Sequence, residues 1–264
     1  MRIALGVEYN GTPFLGWQSQ AAGDTVQDAL QAALSGIAGE SIVVVAAGRT
    51  DTGVHALEQV VHFDTGVERP LSAWVRGVNA LLPKSIAVLW AHPVPHEFHA
   101  RFSAQARSYC YLLINRPVRS ALQQGRMGWY HAPLNVKPMC QAVQYLLGEH
   151  DFSAFRAAEC QAKSPVKNLA QLDIRKQGDT LIFDFTANAF LHHMVRNIMG
   201  CLLYVGNGKH PPQWVGEVLV SRNRNLAAPT FAPDGLYLSQ ISYDAKWGLP
   251  QIKQLSFGWA EEED

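Results

Sequence analysis

Three groups of residues in this sequence have types and spacings that can do chemistry. Asp51 lies in the stretch Gly48-Arg49-Thr50-Asp51-Thr52-Gly53-Val54-His55-Ala56, between two apolar runs. A carboxylate on a short loop, anchored by strands at both ends, is held firmly enough to act as a nucleophile or a base. The same stretch also reads as a plain turn in which Asp bonds its own backbone, and His55 and His62 read equally as structural histidines. The second group centres on Arg196, the only Lys, Arg, Asp or Glu between Phe185 and Gly208. The run around it is apolar on all sides, which predicts a buried helix over residues 190–205. A buried guanidinium must face a carboxylate or a wet cleft, and Asp184 is one structural partner it could take. His192 and His193 precede it. Neighbours on a helix diverge by about 100°, which argues against the two chelating one metal. The third group is Arg107-Ser108-Tyr109-Cys110-Tyr111. On a strand, Tyr109 and Tyr111 share a face, which beside Arg107 is either a stacking platform for bases or core packing.

The elements that must position these groups follow from periodicity. Residues 2–9 alternate Ile3, Leu5, Val7 and Tyr9 and predict a strand. Thr25-Val26-Gln27-Asp28 resembles a capping box with Asp in place of Glu. It opens a helix carrying Val26, Leu30, Ala33, Leu34 and Ile37, which Gly39 closes. Residues 41–47 and 57–64 are β-branched strands flanking the Asp51 loop. Residues 71–82 form a helix that ends before Pro83, and 85–90 a further strand. The order β-α-β-β-α-β is the ferredoxin-like split βαβ pattern. It reads a second time: a strand over 107–115, a helix over 136–147, strands over 168–175 and 179–187 joined at Lys176-Gln177-Gly178, helices over 190–205 and 212–220, and a closing strand over 235–243. The expectation is an α+β protein of two similar βαββαβ halves, residues 1–103 and 104–264, with a central, mostly antiparallel sheet. The first half would carry the Asp51 loop, the second the aromatic strand and the Arg196 helix. Residues 244–264 show no clear pattern.

Composition narrows the classes. The chain has 264 residues, 48% hydrophobic and 17% charged, enough for a real core. No apolar run approaches the roughly 18 to 20 residues of a membrane span, and the start of the chain lacks a signal-peptide pattern, so a cytoplasmic protein is expected. Cys110, Cys140, Cys160 and Cys201 are scattered without C-x-x-C pairing, as reduced, mostly buried thiols would be. No G-x-G-x-x-G, Walker or H-E-x-x-H motif is present, which leaves nucleotide cofactors and zinc without support. Net charge is zero, but its distribution is uneven. Between Phe98 and Gly148 there is no Asp or Glu, while Arg101, Arg107, Arg116, Arg119, Arg126 and Lys137 all fall there, and Glu261-Glu262-Glu263-Asp264 ends the chain. Such one-sided charge suits either phosphate binding or a solvated basic face.

The stretch Ala47 to Ala56 resembles the signature loop of the TruA family of tRNA pseudouridine synthases. Gly16-Trp17-Gln18, Phe98-His99-Ala100-Arg101-Phe102-Ser103-Ala104 through Tyr111, His192-His193-Met194-Val195-Arg196-Asn197, and Asp234-Gly235-Leu236-Tyr237-Leu238 agree in order. The resemblance implies a homodimeric isomerase of pseudouridine synthase fold. Its reaction would turn uridine into pseudouridine at positions 38, 39 and 40 of the tRNA anticodon stem-loop, with no cofactor and no metal. It implies Asp51 as the essential carboxylate, Tyr109 as the aromatic on the target base and Arg196 as the cation paired with Asp51. Arg49 would help displace the nucleotide, and Arg107 and Leu236 would contact substrate. Ser108, Cys110 and Ser19 stand where family members often carry basic residues. Two other readings compete. One is a non-catalytic RNA-binding protein of two RRM-like units, although the Lys/Arg-Gly-Phe-Gly-Phe type of strand is absent. The other is a hydrolase using Asp51 and His55 with a metal at His192 and His193.

Overall fold

A computed structural model describes residues 1–21 and 23–251; the acidic tail Glu261 to Asp264 lies outside the described residues. The protein is a mixed α+β fold with a large, mostly antiparallel sheet. Its residues group into two compact units. The first comprises Met1–Thr50, His55–Gln105 and the described residues from Leu238 to Gln251; the second comprises Asp51–Val54 and Ala106–Tyr237.

In the first unit, β1 (Arg2–Tyr9) lies between β3 (His55–Asp64) and β4 (Ile86–Val94), antiparallel to both. Ala4 is as buried as Ile3 and Leu5, so this strand is covered on both faces rather than one. α1 (Val26–Ala38) starts where expected. The Thr25 side chain accepts from the Asp28 N–H, and Gly39, at φ 74°, closes the helix. The expected strand over 41–47 shrinks to β2 (Val45–Ala46), paired with β3. The cause lies in α1: Ser35 Oγ takes the Ile42 N–H and Gln31 Oε1 takes the Val44 N–H, so those donors are not available to a ladder. The helix expected over 71–82 is a π-helical turn, Ala73–Gly77, running into α2 (Val78–Leu81).

In the second unit, β5 (Ala104–Asn115), β9 (Thr180–Ala187), β8 (Val166–Gln177) and β7 (Gly148–Asp151) are antiparallel neighbours in that order, with β6 (Gly128–Tyr130) parallel to β5. β6 and β7 are short, lack an alternating apolar pattern and escaped the sequence reading. α3 (Val136–Val143) is shorter than expected, because residues 144–146 turn back to carbonyls three residues earlier. α4 (Met194–Gly206) and α5 (Gln213–Ser221) follow β9. The expected helix over 190–205 is corrected at its start: residues 190–193 are not helical, and His193 is left-handed at φ 62°. Around α4 the core is closed by Leu191, Met194, Ile198, Met199, Leu202, Phe155, Phe183 and Phe185. β10 (Leu236–Tyr243) is the last strand among the described residues; Leu236 and Tyr237 group with the second unit and the rest of it with the first.

Candidate active site

Asp51 owes its position to the turn that holds it. Asp51 C=O accepts from the Val54 N–H at 3.1 Å, and Val54 is buried in the core of the second unit. Gly53 between them has φ 78°, and a Cβ there would approach Pro233 Cγ at 3.2 Å, so both conformation and space favour glycine. The residues before and after this turn are fixed within the first unit. Trp17 N–H donates to Thr50 C=O, Thr50 Oγ1 bonds the Tyr9 hydroxyl at 2.8 Å, and Gly11 N–H donates to buried His55 Nδ1 at 3.0 Å. His55 is therefore engaged in holding the backbone, which supports its structural reading over a hydrolytic one.

The Asp51 side chain is 20% exposed and meets Arg196, itself 14% exposed. Arg196 Nη1 donates to Asp51 Oδ2 at 2.9 Å, and Arg196 Nε donates to Phe231 C=O at 2.8 Å. The expectation that the lone cation of α4 faces a carboxylate holds, and the carboxylate is Asp51. Asp184 is taken by Arg175 at 2.7 Å. Phe231 was not foreseen, since a backbone carbonyl leaves no mark in side-chain chemistry. The segment carrying it is clamped to α4: Asn197, fully buried, accepts from Arg224 and from the Thr230 hydroxyl and donates to Phe155 C=O. Gly200 lets that segment lie against the helix, for a Cβ there would come within 2.2 Å of Pro229 C=O.

His192 and His193 also turn to Asp51, with His192 Nε2 at 3.2 Å from Oδ1 and His193 Nε2 at 3.4 Å from Oδ2. The helical geometry that argued against their acting together does not apply, because they precede the helix. Their backbone is pinned instead: His192 C=O accepts from Ala157 N–H, and His192 N–H contacts Cys160 Sγ. Burial pushes His193 below the usual imidazole range, against the pull of Asp51.

Of the other expected residues, Tyr109 lies on β5 opposite Phe185, half-buried, its ring edge-on to Phe190 at 5.0 Å. Tyr111, which would share the platform, is fully buried, and its hydroxyl donates to Ala232 C=O. It is core, not a stacking face. Arg107 Nη1 donates to Asn188 C=O at 3.0 Å. Arg49 is exposed on the Asp51 loop, and Leu236 is buried at the start of β10. Ser108 bonds Thr186 across the sheet and Cys110 is buried. All four cysteines are free, and Cys140 alone is exposed. No described helix is long and apolar enough to cross a membrane.

Known proteins resemble the chain over nearly its whole length. A family model described as tRNA pseudouridine synthase matches residues 6–103 and 142–244. A tRNA pseudouridine synthase A of Dechloromonas aromatica is 60% identical over 95% of this chain and 95% of its own. Proteins of the same name from Paraburkholderia xenovorans and Janthinobacterium are each 57% identical, over 98% of this chain and 96% and 98% of theirs. Among solved structures, a chain of a Cbf5-Nop10-Gar1 complex aligns with 89% of this chain and 48% of its own at 12% identity and a TM-score of 0.39, a likeness too weak to build on. With a family match across both halves and relatives at this identity, the chain belongs to the tRNA pseudouridine synthase family.

Proposed function

We propose that the chain isomerises uridine to pseudouridine at positions 38, 39 and 40 of the tRNA anticodon stem-loop, with Asp51 as the essential carboxylate. The observation that carries this reading is the contact of Asp51 with Arg196 in a chain of this family. The reaction breaks the bond from uracil N1 to ribose C1′, turns the base and joins C5 to C1′. C5 gives up a proton and N1 gains one, so atoms and electrons balance without a cofactor. A base in a stem must first leave the stack, which costs a few kcal/mol. Arg49, exposed and two residues before Asp51 in the chain, would fill the vacated place.

The carboxylate must then be ionised and aimed. Arg196 supplies the opposite charge through a single hydrogen bond to Oδ2, which leaves Oδ1 turned elsewhere. Tyr109 would hold the flat ring during rotation, while Leu236 and Arg107 would contact the nucleotide and its backbone. We take the acid-free window between Phe98 and Gly148 as the source of phosphate contacts. A neutral subunit offers limited basic surface, so a two-fold pair sharing one tRNA is the assembly that suits it, in the cytoplasm where tRNA is processed. The non-catalytic RNA-binding reading finds no favour in the family match. Tritium release from tRNA labelled at uridine C5 tests the activity: release by the wild type but not by Asp51→Asn is expected, and no release from tRNA that the protein binds would overturn it. Sedimentation showing an active monomer at working concentration would overturn the dimer.

A further inference from the structure

We propose that Asp51, His192 and His193 form a binding site for a zinc-class divalent cation, and that the bound ion inhibits the enzyme by capturing its carboxylate. One ligand atom from each residue lies within 4.8 Å of the other two. Two imidazoles and a carboxylate are the donor set that zinc takes with three protein ligands and an open fourth position. Magnesium and calcium prefer oxygen ligands and are disfavoured here.

The distances leave room for an ion among the three side chains. Charge-assisted N–H···O bonds are typically about 2.7 to 2.9 Å, as the Arg196–Asp51 bond is at 2.9 Å. The imidazole nitrogens stand farther off, at 3.2 and 3.4 Å. A tetrahedral ion with ligands at about 2.0 to 2.1 Å separates its ligand atoms by about 3.3 to 3.4 Å; the two nitrogens approach different oxygens of the carboxylate, and the three ligand atoms, all within 4.8 Å of one another, need only draw together to meet one ion. The two rings lie 4.1 Å apart, and their Nε2 atoms approach the same carboxylate. The site is also built in advance, with His192 pinned through both its backbone N–H and C=O and Asp51 held by Arg196 on Oδ2. Arg196 opposes the incoming charge, so the ion is a reversible inhibitor rather than a permanent structural centre.

The binding half of this proposal stands apart from the proposed reaction; the inhibition half rests on it. The experiment uses the full chain, stripped with EDTA and desalted, with zinc alone titrated against a chromophoric chelator. One equivalent should bind, with magnesium in excess failing to compete, and affinity should fall at least about tenfold in His192→Asn and again in Asp51→Asn. Near-ultraviolet circular dichroism on each variant checks that the fold is kept. If a variant unfolds, cobalt substituted into the wild type serves instead. Tetrahedral ligand-field bands displaced by zinc are expected, and their absence would overturn the site. Tritium release should fall in step with zinc occupancy and return on adding EDTA. Undiminished zinc affinity in folded His192→Asn and Asp51→Asn overturns the site, and full activity at full occupancy overturns the inhibition. Zinc bound as expected by a protein that never releases tritium would sink the synthase reading and the inhibition together, and leave the site standing.

Discussion

Each unit holds an arginine–aspartate pair with histidines nearby, and the two pairs are built differently. In the first unit Arg2 grips Asp64 with two bonds, Nε to Oδ1 at 2.9 Å and Nη2 to Oδ2 at 2.7 Å, and spends Nη1 on the carbonyls of His96 and Phe98. In the second unit Arg196 gives Asp51 one bond, to Oδ2, and points Nε at Phe231 C=O. The first carboxylate is 54% exposed and has both oxygens committed to the fork; the second is 20% exposed and keeps Oδ1 out of it. A bidentate fork fixes geometry, whereas an end-on contact supplies charge and leaves an oxygen for other work. The surroundings differ as well. His62 Nδ1 accepts from Ala100 N–H and so holds backbone, while His192 and His193 aim their Nε2 atoms at the carboxylate.

The comparison breaks or sharpens under four changes. The largest effect is expected from Asp51→Asn, which should lower tritium release about 10³-fold or more with the fold intact by circular dichroism. Asp64→Asn should leave the rate within about twofold, and an equal loss in the two variants would erase the distinction. Next, Arg196→Ala should cost about 10²-fold in rate, because the carboxylate loses its cation and Phe231 C=O its donor. Arg196→Lys should recover part of the charge but not the second bond, and full recovery would show that geometry matters little.

Third is an acid effect that belongs to the first unit. Burial, with Arg2 and His99 adding to it, pulls His62 down to about 4 from an ordinary 6.5. The folded state therefore prefers neutral His62, and that contribution is full above pH 6.5 and lost as pH falls toward 4. Urea midpoints should show about 2 kcal/mol less stability at pH 5 than at pH 7.5, and His62→Gln should flatten that slope. The hydrogen bond from Arg2, followed by its charge, holds Asp64 below the usual carboxylate range despite partial burial, so its share is lost only at lower pH, through its depressed folded value. The smallest effect is that of Arg2→Ala, at about 1 kcal/mol in the same unfolding assay, since its partner is more than half exposed and solvent screens the pair. A loss of catalytic rate in Arg2→Ala would mean that the fork does more than tie β1 to its neighbours.

What could be read from the chain beforehand divides along a physical line. Arg196 announced its need for a carboxylate because a lone charge in an apolar run has few ways to be buried. The start of α1 was readable from Thr25 and its end from Gly39, because capping is local chemistry. The lost strand at 41–44 was not readable, since its N–H groups go to Ser35 and Gln31 on a helix earlier in the chain. Nor was the start of α4. The left-handed turn at His193 comes with tertiary contacts to Ala157 and Cys160, and it redirects two imidazoles that helical periodicity had pointed apart. Tyr109 and Tyr111 shared a face as expected, but only packing decided that Tyr111 is core.

The short segment Asp51–Val54 belongs by its packing to the second unit, while the chain on either side of it belongs to the first. A gene cut between the codons for Gln105 and Ala106 would therefore yield one polypeptide that encodes the carboxylate without Arg196, and another that encodes Arg196 and both histidines without the carboxylate. Each product inherits half of the ion pair. With Asp51 in its proposed role, the four-residue loan makes the reaction a property of the undivided chain.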